Sequence, residues 1–467
     1  MTSSFDNKEK ILEKLLNGAH PVSQEQPSRF RLYVLGLIFI IYVITSSDRA
    51  NIGIVLPYLK KSFHLSNTEA GGLASIFYIS YGLFQIPSAF LIKRLGVKNT
   101  LPLALFLTSI STALHGMVGS LLALKFCRVL LGISEAPIAS GCITSINNWF
   151  PAREKGLAAG LFIAAAKTGP VIVPILGAVI ILSLGWEYVF IIFALPGLIL
   201  PFFWFFLVPD DPIKSHFVNH AEVDLIKDMD VESISGQKTN SLEQIPLSSG
   251  RSFFALLDRI IRSKVVQKIT TSKDVFFSWN VWGVSLGYFF FIGTMSVILA
   301  WLPSYLTEVK GFSIIRTGFL TSMPFIGAVV GSTLGGWISD RLLDKRRKPL
   351  MMFSCLSTIF MMYALRSAPN DPFMLSFLLI ATGFSFSMGF SLFSIFAAGL
   401  CERNIFPVAT AVLNTCGQLG GAAMPFIAGI ILDHYDWNAV FLTLSFGGGL
   451  ALIVLSTIVE PRGFLPK

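Results

Sequence analysis

The sequence predicts an all-α membrane protein in which twelve transmembrane helices form two six-helix bundles. Three observations predict this fold. Of 467 residues, 53% are hydrophobic and 13% charged, against about 25% charged in soluble domains, and mean hydropathy is +0.68. Apolar runs of the length a helix needs to cross a bilayer, about 20 residues, recur twelve times. The two halves also repeat. A shift of 247 residues aligns 58–103 with 305–350 without a gap, giving 12 identities in 46 positions, among them Gly71/Gly318, Ser75/Ser322, Arg94/Arg341 and Pro102/Pro349. A chain built as six spans followed by six related spans in the same orientation has the parallel-repeat plan of secondary transport proteins.

In chain order, residues 1–31 are expected as a cytoplasmic tail, with 6–16 (DNKEKILEKLL) an amphipathic helix on the membrane surface. The first bundle, 32–208, contains runs at 32–57, 69–92, 100–120, 123–147, 156–182 and 187–208. A cytoplasmic linker follows at 209–274. It includes a capped helix at Asn219, with Glu222 three residues on. A Ser/Gly/Gln-rich stretch at 232–250 comes next, then a basic amphipathic helix at 251–269 suited to anionic lipid. The second bundle, 275–459, has runs at 275–306, 315–339, 349–368, 372–400, 406–432 and 437–459, before a cytoplasmic tail at 460–467. With both termini cytoplasmic, 27 of the 36 lysines and arginines fall in cytoplasmic segments and 5 in outer loops. That is the positive-inside bias. It accounts for the net charge of +9 without a nucleic-acid partner. The five cysteines sit singly in or beside apolar runs and read as core residues.

Ionisable groups inside spans are costly, at about 2.5–3.5 kcal/mol each on the insertion scale, and so mark function. Those placed deep in the membrane all lie in the first bundle: Asp48, Arg49, Arg128, Glu135 and Lys167. Adjacent helical residues diverge by about 100°, so Asp48 and Arg49 cannot share a face, whereas Arg128 and Glu135, seven apart, do. Arg128 is placed nearer the outer end of its span and Glu135 near the middle. Three cations against two acids leave a surplus of one positive charge, which attracts an anion. The second bundle offers neutral groups, including Asn280, Trp301, Ser385, Asn414 and Gln418. Asn414 and Gln418 stand one helical turn apart on one face. Gly327, Gly331 and Gly335 form a ladder for close helix packing. HExxH, P-loop and GxSxG patterns are absent, so the chain is read as no enzyme, with no catalytic residue, metal or cofactor.

The stretches SDRANIG (47–53), YGLFQIP (81–87), RVLLGISEAP (128–137), NWFPAREKG (148–156) and AWLPSYL (300–306) together resemble the anion:cation symporter family of the major facilitator superfamily. GGWISDRLLDKRRKPL (335–350) resembles that superfamily's loop signature. Its counterpart at 88–103 has lost the aspartate to Lys93. The resemblance implies the major facilitator fold and proton-driven symport of a small organic anion, such as a sugar acid, with lipid as the surrounding partner. It implies that Asp48 and Glu135 couple protons, that Arg49 contacts the anion, and that Tyr81 and Asn414 contact substrate. Gln418 and Lys167 join them as expected substrate contacts, with Arg128 as supporting charge. Asp340, Arg341 and Arg94 are expected gating residues on the paired loops. Either Asp48 or Glu135 pairs with Arg49 and withholds it until protonated. Lys167 stands where a neutral polar residue is expected, and either holds a second carboxylate or neutralises Glu135.

Compact loops favour a bacterial inner membrane; oligomeric state is unreadable from the pattern. Rival readings are an organophosphate or polycarboxylate antiporter or exporter, and an anion sensor that transports nothing. The organophosphate reading calls for an arginine in the seventh span, and 275–306 has none.

Overall fold

The computed structural model describes residues 26–226, 258–259, 261–402 and 405–464. The first bundle comprises α1 (Phe30–Ser62), α2 (Asn67–Leu95), α3 (Val97–His115), α4 (Leu121–Trp149), α5 (Ala152–Ser183) and α6 (Glu187–Leu207). The second comprises α7 (Trp279–Glu308), α8 (Ile314–Arg341), α9 (Lys348–Arg366), α10 (Pro372–Gly399), α11 (Phe406–His434) and α12 (Trp437–Thr457). A short helix, Ser272–Phe277, precedes α7, so the run expected at 275–306 is divided at Ser278. The third span begins earlier and ends earlier than 100–120, because Gly96 and Gly116 bound it.

Two strategies satisfy the free amides at helix starts. On the face away from the chain ends, here the distal face, α2, α4, α10 and α12 are capped by their own Ser66, Ser120, Asp371 and Asp436. On the opposite, terminal face, caps come from far along the chain. Glu222 accepts from the Phe30 and Arg31 amides of α1. Asp210 accepts from Lys98 N at the start of α3. Glu460 accepts from Arg347 N and Lys348 N at the start of α9. Asn219 does cap its helix, accepting from Glu222 N. Glu222, however, does not complete the box with Asn219; it serves α1 instead.

α10 is broken at Met388–Gly389 into Pro372–Ser387 and Phe390–Gly399. Ser354 of α9 occupies the break, its hydroxyl donating to Ser385 O and accepting from Gly389 N at 2.7 Å. The α8 glycine ladder packs as expected. A Cβ at Gly327, Gly331 or Gly335 would strike α10 backbone atoms within 2.1 Å.

The basic amphipathic helix expected over 251–269 is not what residues 263–266 form. They make strand β1 (Ser263–Val266), parallel to β2 (Glu460–Phe464), so the expected tail at 460–467 begins as a strand. Lys348 Nζ reaches carbonyls of Ile261, Ser456 and Ile458, and Arg346 pairs with Asp258 at 2.7 Å, tying this strand pair to the α8–α9 loop. The helix expected at 6–16 and the Ser/Gly/Gln stretch at 232–250 lie outside the described residues.

Between bundles, α1 packs on α7, α2 on α11 and α5 on α8. The tight contacts gather toward the distal face. A Cβ on Gly53, Gly71 or Gly318 would come within 2.4 Å of a carbonyl oxygen of Leu299, Pro425 or Pro174 on the other bundle. Lys60 pairs with Glu308 at 2.9 Å, and Asp433 of α11 accepts from the Asn67 and Thr68 amides opening α2. Toward the terminal face a Cβ at Gly156, Gly160 or Gly336 would meet nothing within 4 Å. The bundles thus close on the distal side and enclose a cleft open toward the chain ends.

Candidate functional site

α1 carries its two charges to opposite surroundings, as the 100° offset requires. Asp48 turns into the bundle and is 1% exposed, with Asn51 Nδ2 at 3.5 Å from its carboxylate. Arg49 turns toward the cleft, and its Nε donates to Glu135 Oε1 of α4. Its guanidinium carbon lies 4.6 Å from the Tyr81 ring centroid and 5.7 Å from that of Phe77, both on α2. Glu135 is fully buried, so this ion pair is shielded from water on the acid's side. Tyr42 and Tyr78 stand within electrostatic range of both Arg49 and Glu135. Of the two acids that could hold Arg49, the fold selects Glu135.

Arg128 lies in the distal half of α4 and turns into the bundle. It is 1% exposed, an electrostatic neighbour of Asp48 and Glu135, and borders a cavity with Arg49, Phe77, Tyr78 and Ser296 of α7. The interior of the first bundle therefore holds the Arg49–Glu135 ion pair, with Arg128 in electrostatic range of both acids. Polar atoms remain without hydrogen-bond partners among the described residues: Asp48 Oδ2, Arg49 Nη2, Arg128 Nε and Nη2, and Glu135 Oε2. Such atoms, buried and unsatisfied, are costly in a fold.

Lys167 of α5 stands apart from these groups. It is 7% exposed and its ammonium lies over the Phe390 ring of α10, 4.2 Å from the centroid. Glu135's charged neighbours are Arg49 and Arg128, so Lys167 does not neutralise Glu135. From the second bundle, Gln418 packs against α2, where a Cβ on Gly82 would lie 3.2 Å from its own, and its Oε1 is buried without a partner. Asn414 lies a turn away on α11 and is half-buried. Tyr288 of α7, a residue the sequence reading passed over, completes this wall. It packs on Phe390 and Phe393 and is an electrostatic neighbour of Tyr81 across the cleft. A single tyrosine in a phenylalanine-rich run (YFFF, 288–291) was the faint signal for it. Asn280 and Trp301 are engaged elsewhere, bonding Val459 N and Pro425 O.

The loop residues lie apart, on the terminal face. Asp340 pairs with Arg347 of its own loop at 2.6 Å, while Arg94 and Arg341 are exposed.

A cleft between two repeated six-helix bundles, with buried charge concentrated in one of them, defines a secondary transporter. The chain belongs to the Major Facilitator Superfamily, whose sequence profile matches residues 38–425 and, overlapping, 284–465. It is 30% identical over 455 residues to a D-galactonate transporter of Escherichia coli O6:H1, covering 95% of this chain and 99% of the relative. It is 26% identical over 451 residues to a probable galactarate/D-glucarate transporter of Bacillus subtilis, covering 93% and 91%. In fold it is similar to the inward open conformation of the xylose transporter of E. coli, with a TM-score of 0.68 at 16% identity over 93% of this chain and 97% of that one. The protein is a multi-pass membrane transporter and not an enzyme.

Proposed function

We propose that the protein carries a small organic anion, a sugar acid or close analogue, in symport with protons across a bacterial inner membrane, with both chain ends cytoplasmic. The observation that carries this reading is the Arg49–Glu135 ion pair, set at mid-helix against Tyr81 on the wall of the cleft. While Glu135 is ionised it claims the guanidinium. A proton on Glu135 removes that charge, and Arg49 becomes free to take a carboxylate through its planar fork. Anion and proton then favour each other's binding, because each relieves the charge the other leaves unbalanced. Asp48, buried within electrostatic range of Arg128, is a second proton acceptor on the same circuit. Gln418, Asn414 and Tyr288 offer hydroxyl-matching polar groups from the opposite bundle. In this orientation the cleft opens to the cytoplasm, and the distal contacts of Lys60, Glu308 and Asp433 form the closed outer gate.

The test is uptake of labelled sugar acids into proteoliposomes under an imposed pH gradient, with counterflow exchange measured in parallel. Glu135→Gln is expected to abolish accumulation while retaining exchange. If Glu135→Gln and Asp48→Asn both still concentrate substrate against its gradient, the coupling assignment is wrong.

A further inference from the structure

We infer that Lys167 is the seat of a second anionic group of the substrate, so that the favoured cargo is an acid with carboxylates at both ends. The inference rests on the organic-anion reading above and specifies which anions the cleft prefers. Three observations carry it. First, Arg49 is ion-paired with Glu135 and Arg128 has both Asp48 and Glu135 as electrostatic neighbours, whereas no carboxylate faces Lys167 among the described residues. A buried ammonium whose one neighbour of note is an aromatic face is left short of compensation, since a cation–π contact supplies about 0.5–2 kcal/mol and burial of a lone charge costs more. Second, its ring partner belongs to the other bundle. Phe390 opens the half-helix that resumes after the break in α10, so Lys167 sits where the two halves of the protein meet rather than inside one of them. Third, Arg49 and Lys167 meet different aromatic partners. Arg49, from α1, leans on Tyr81 of α2, whereas Lys167, from the adjoining α5, lies over Phe390 of α10.

Two cations held against different rings, one on α2 and one on α10, fit two separated carboxylates better than one doubly charged centre. That separation argues for a diacid over a phosphate monoester. One carboxylate meets Lys167 at once; the other waits for Arg49, which a proton on Glu135 releases. A monoacid places its one carboxylate on the guanidinium, whose planar fork holds it better than a lone ammonium, and leaves Lys167 unmatched.

Binding measured by calorimetry on the purified full chain separates this inference from the symport reading. The probes are galactarate, D-galactonate and a hexose 6-phosphate. Wild type is expected to bind the diacid most tightly. Lys167→Gln is expected to weaken galactarate by about tenfold or more, the loss of one charge-assisted hydrogen bond, while D-galactonate binding changes little and so reports an intact fold. Lys167→Arg is expected to keep the diacid preference. Equal weakening of both sugar acids by Lys167→Gln, or tighter wild-type binding of the monoacid or of the phosphate, would overturn the inference. Tight, Lys167-dependent diacid binding without pH-driven uptake would sink the symport reading and leave this one standing.

Discussion

Gly53 is where the outer closure can be tested with one methyl group. α1 crosses α7 so closely that a Cβ at this position would stand 2.1 Å from Leu299 O and 3.2 Å from its carbonyl carbon. A carbon–oxygen contact relaxes to about 3.3 Å, so Gly53→Ala forces the two helices apart by about 1 Å. Overpacking of this kind costs about 1–3 kcal/mol. The cost falls only on the conformation in which α1 and α7 touch; any gain in helix propensity from alanine is common to both conformations and cancels. The equilibrium should therefore move toward the distally open form by about 5–150-fold. Spin labels at Lys61 and Val309, near the distal ends of α1 and α7, report it directly. Wild type is expected to give one short distance, and Gly53→Ala a second, longer population. Gly36→Ala serves as the control, because a Cβ there meets nothing within 4 Å. A Gly53→Ala distance distribution identical to that of Gly36→Ala would refute the argument that this contact holds the gate.

Asp433→Ala uncaps α2 at Asn67 and Thr68 and should shift the same distances in the same direction by about 1 kcal/mol, the worth of an N-cap. Arg49→Lys keeps the charge but loses the planar fork; sugar-acid affinity should fall about tenfold to a hundredfold, and unchanged calorimetric affinity would count against a direct contact. Glu222 gives a pH prediction. Burial pushes its carboxyl up, but Ser28, the Arg31 side chain and the amides of Arg31 and Phe30 together bring it below its ordinary 4.5. A carboxyl more acidic folded than unfolded stabilises the fold above its unfolded pKa, and that contribution is lost as pH falls through the folded value. Thermal unfolding should therefore show wild type ahead of Glu222→Gln at neutral pH, with the difference shrinking once pH drops below 4.5.

Much of this architecture was legible because bilayer physics acts locally. A helix must satisfy its own backbone and present about 20 apolar residues, and that demand is written in consecutive residues, as it is for 32–57 or 437–459. The tenth span was different. Its break at Met388–Gly389 depends on the Ser354 hydroxyl arriving from α9, and nothing in the run 372–400 carries that information. Residues 263–266 fall in a stretch that reads as a basic amphipathic helix, yet they pair with 460–464. Strand pairing between segments so far apart leaves no local mark. The capped helix at Asn219 was half legible: its start was visible, while Glu222's duty to α1 was not.

The buried charges divide along the same line. Their presence, sign and depth were set by composition and helical periodicity, because an ionisable residue in an apolar run is costly wherever the helix packs. Which acid holds Arg49, that Arg128 turns into the bundle, and that Lys167 faces Phe390 across the bundle boundary were decided by tertiary packing. Rotation about a helix axis is fixed by its neighbours. Spacing along one helix ranks residues by face but does not say which helix that face will meet.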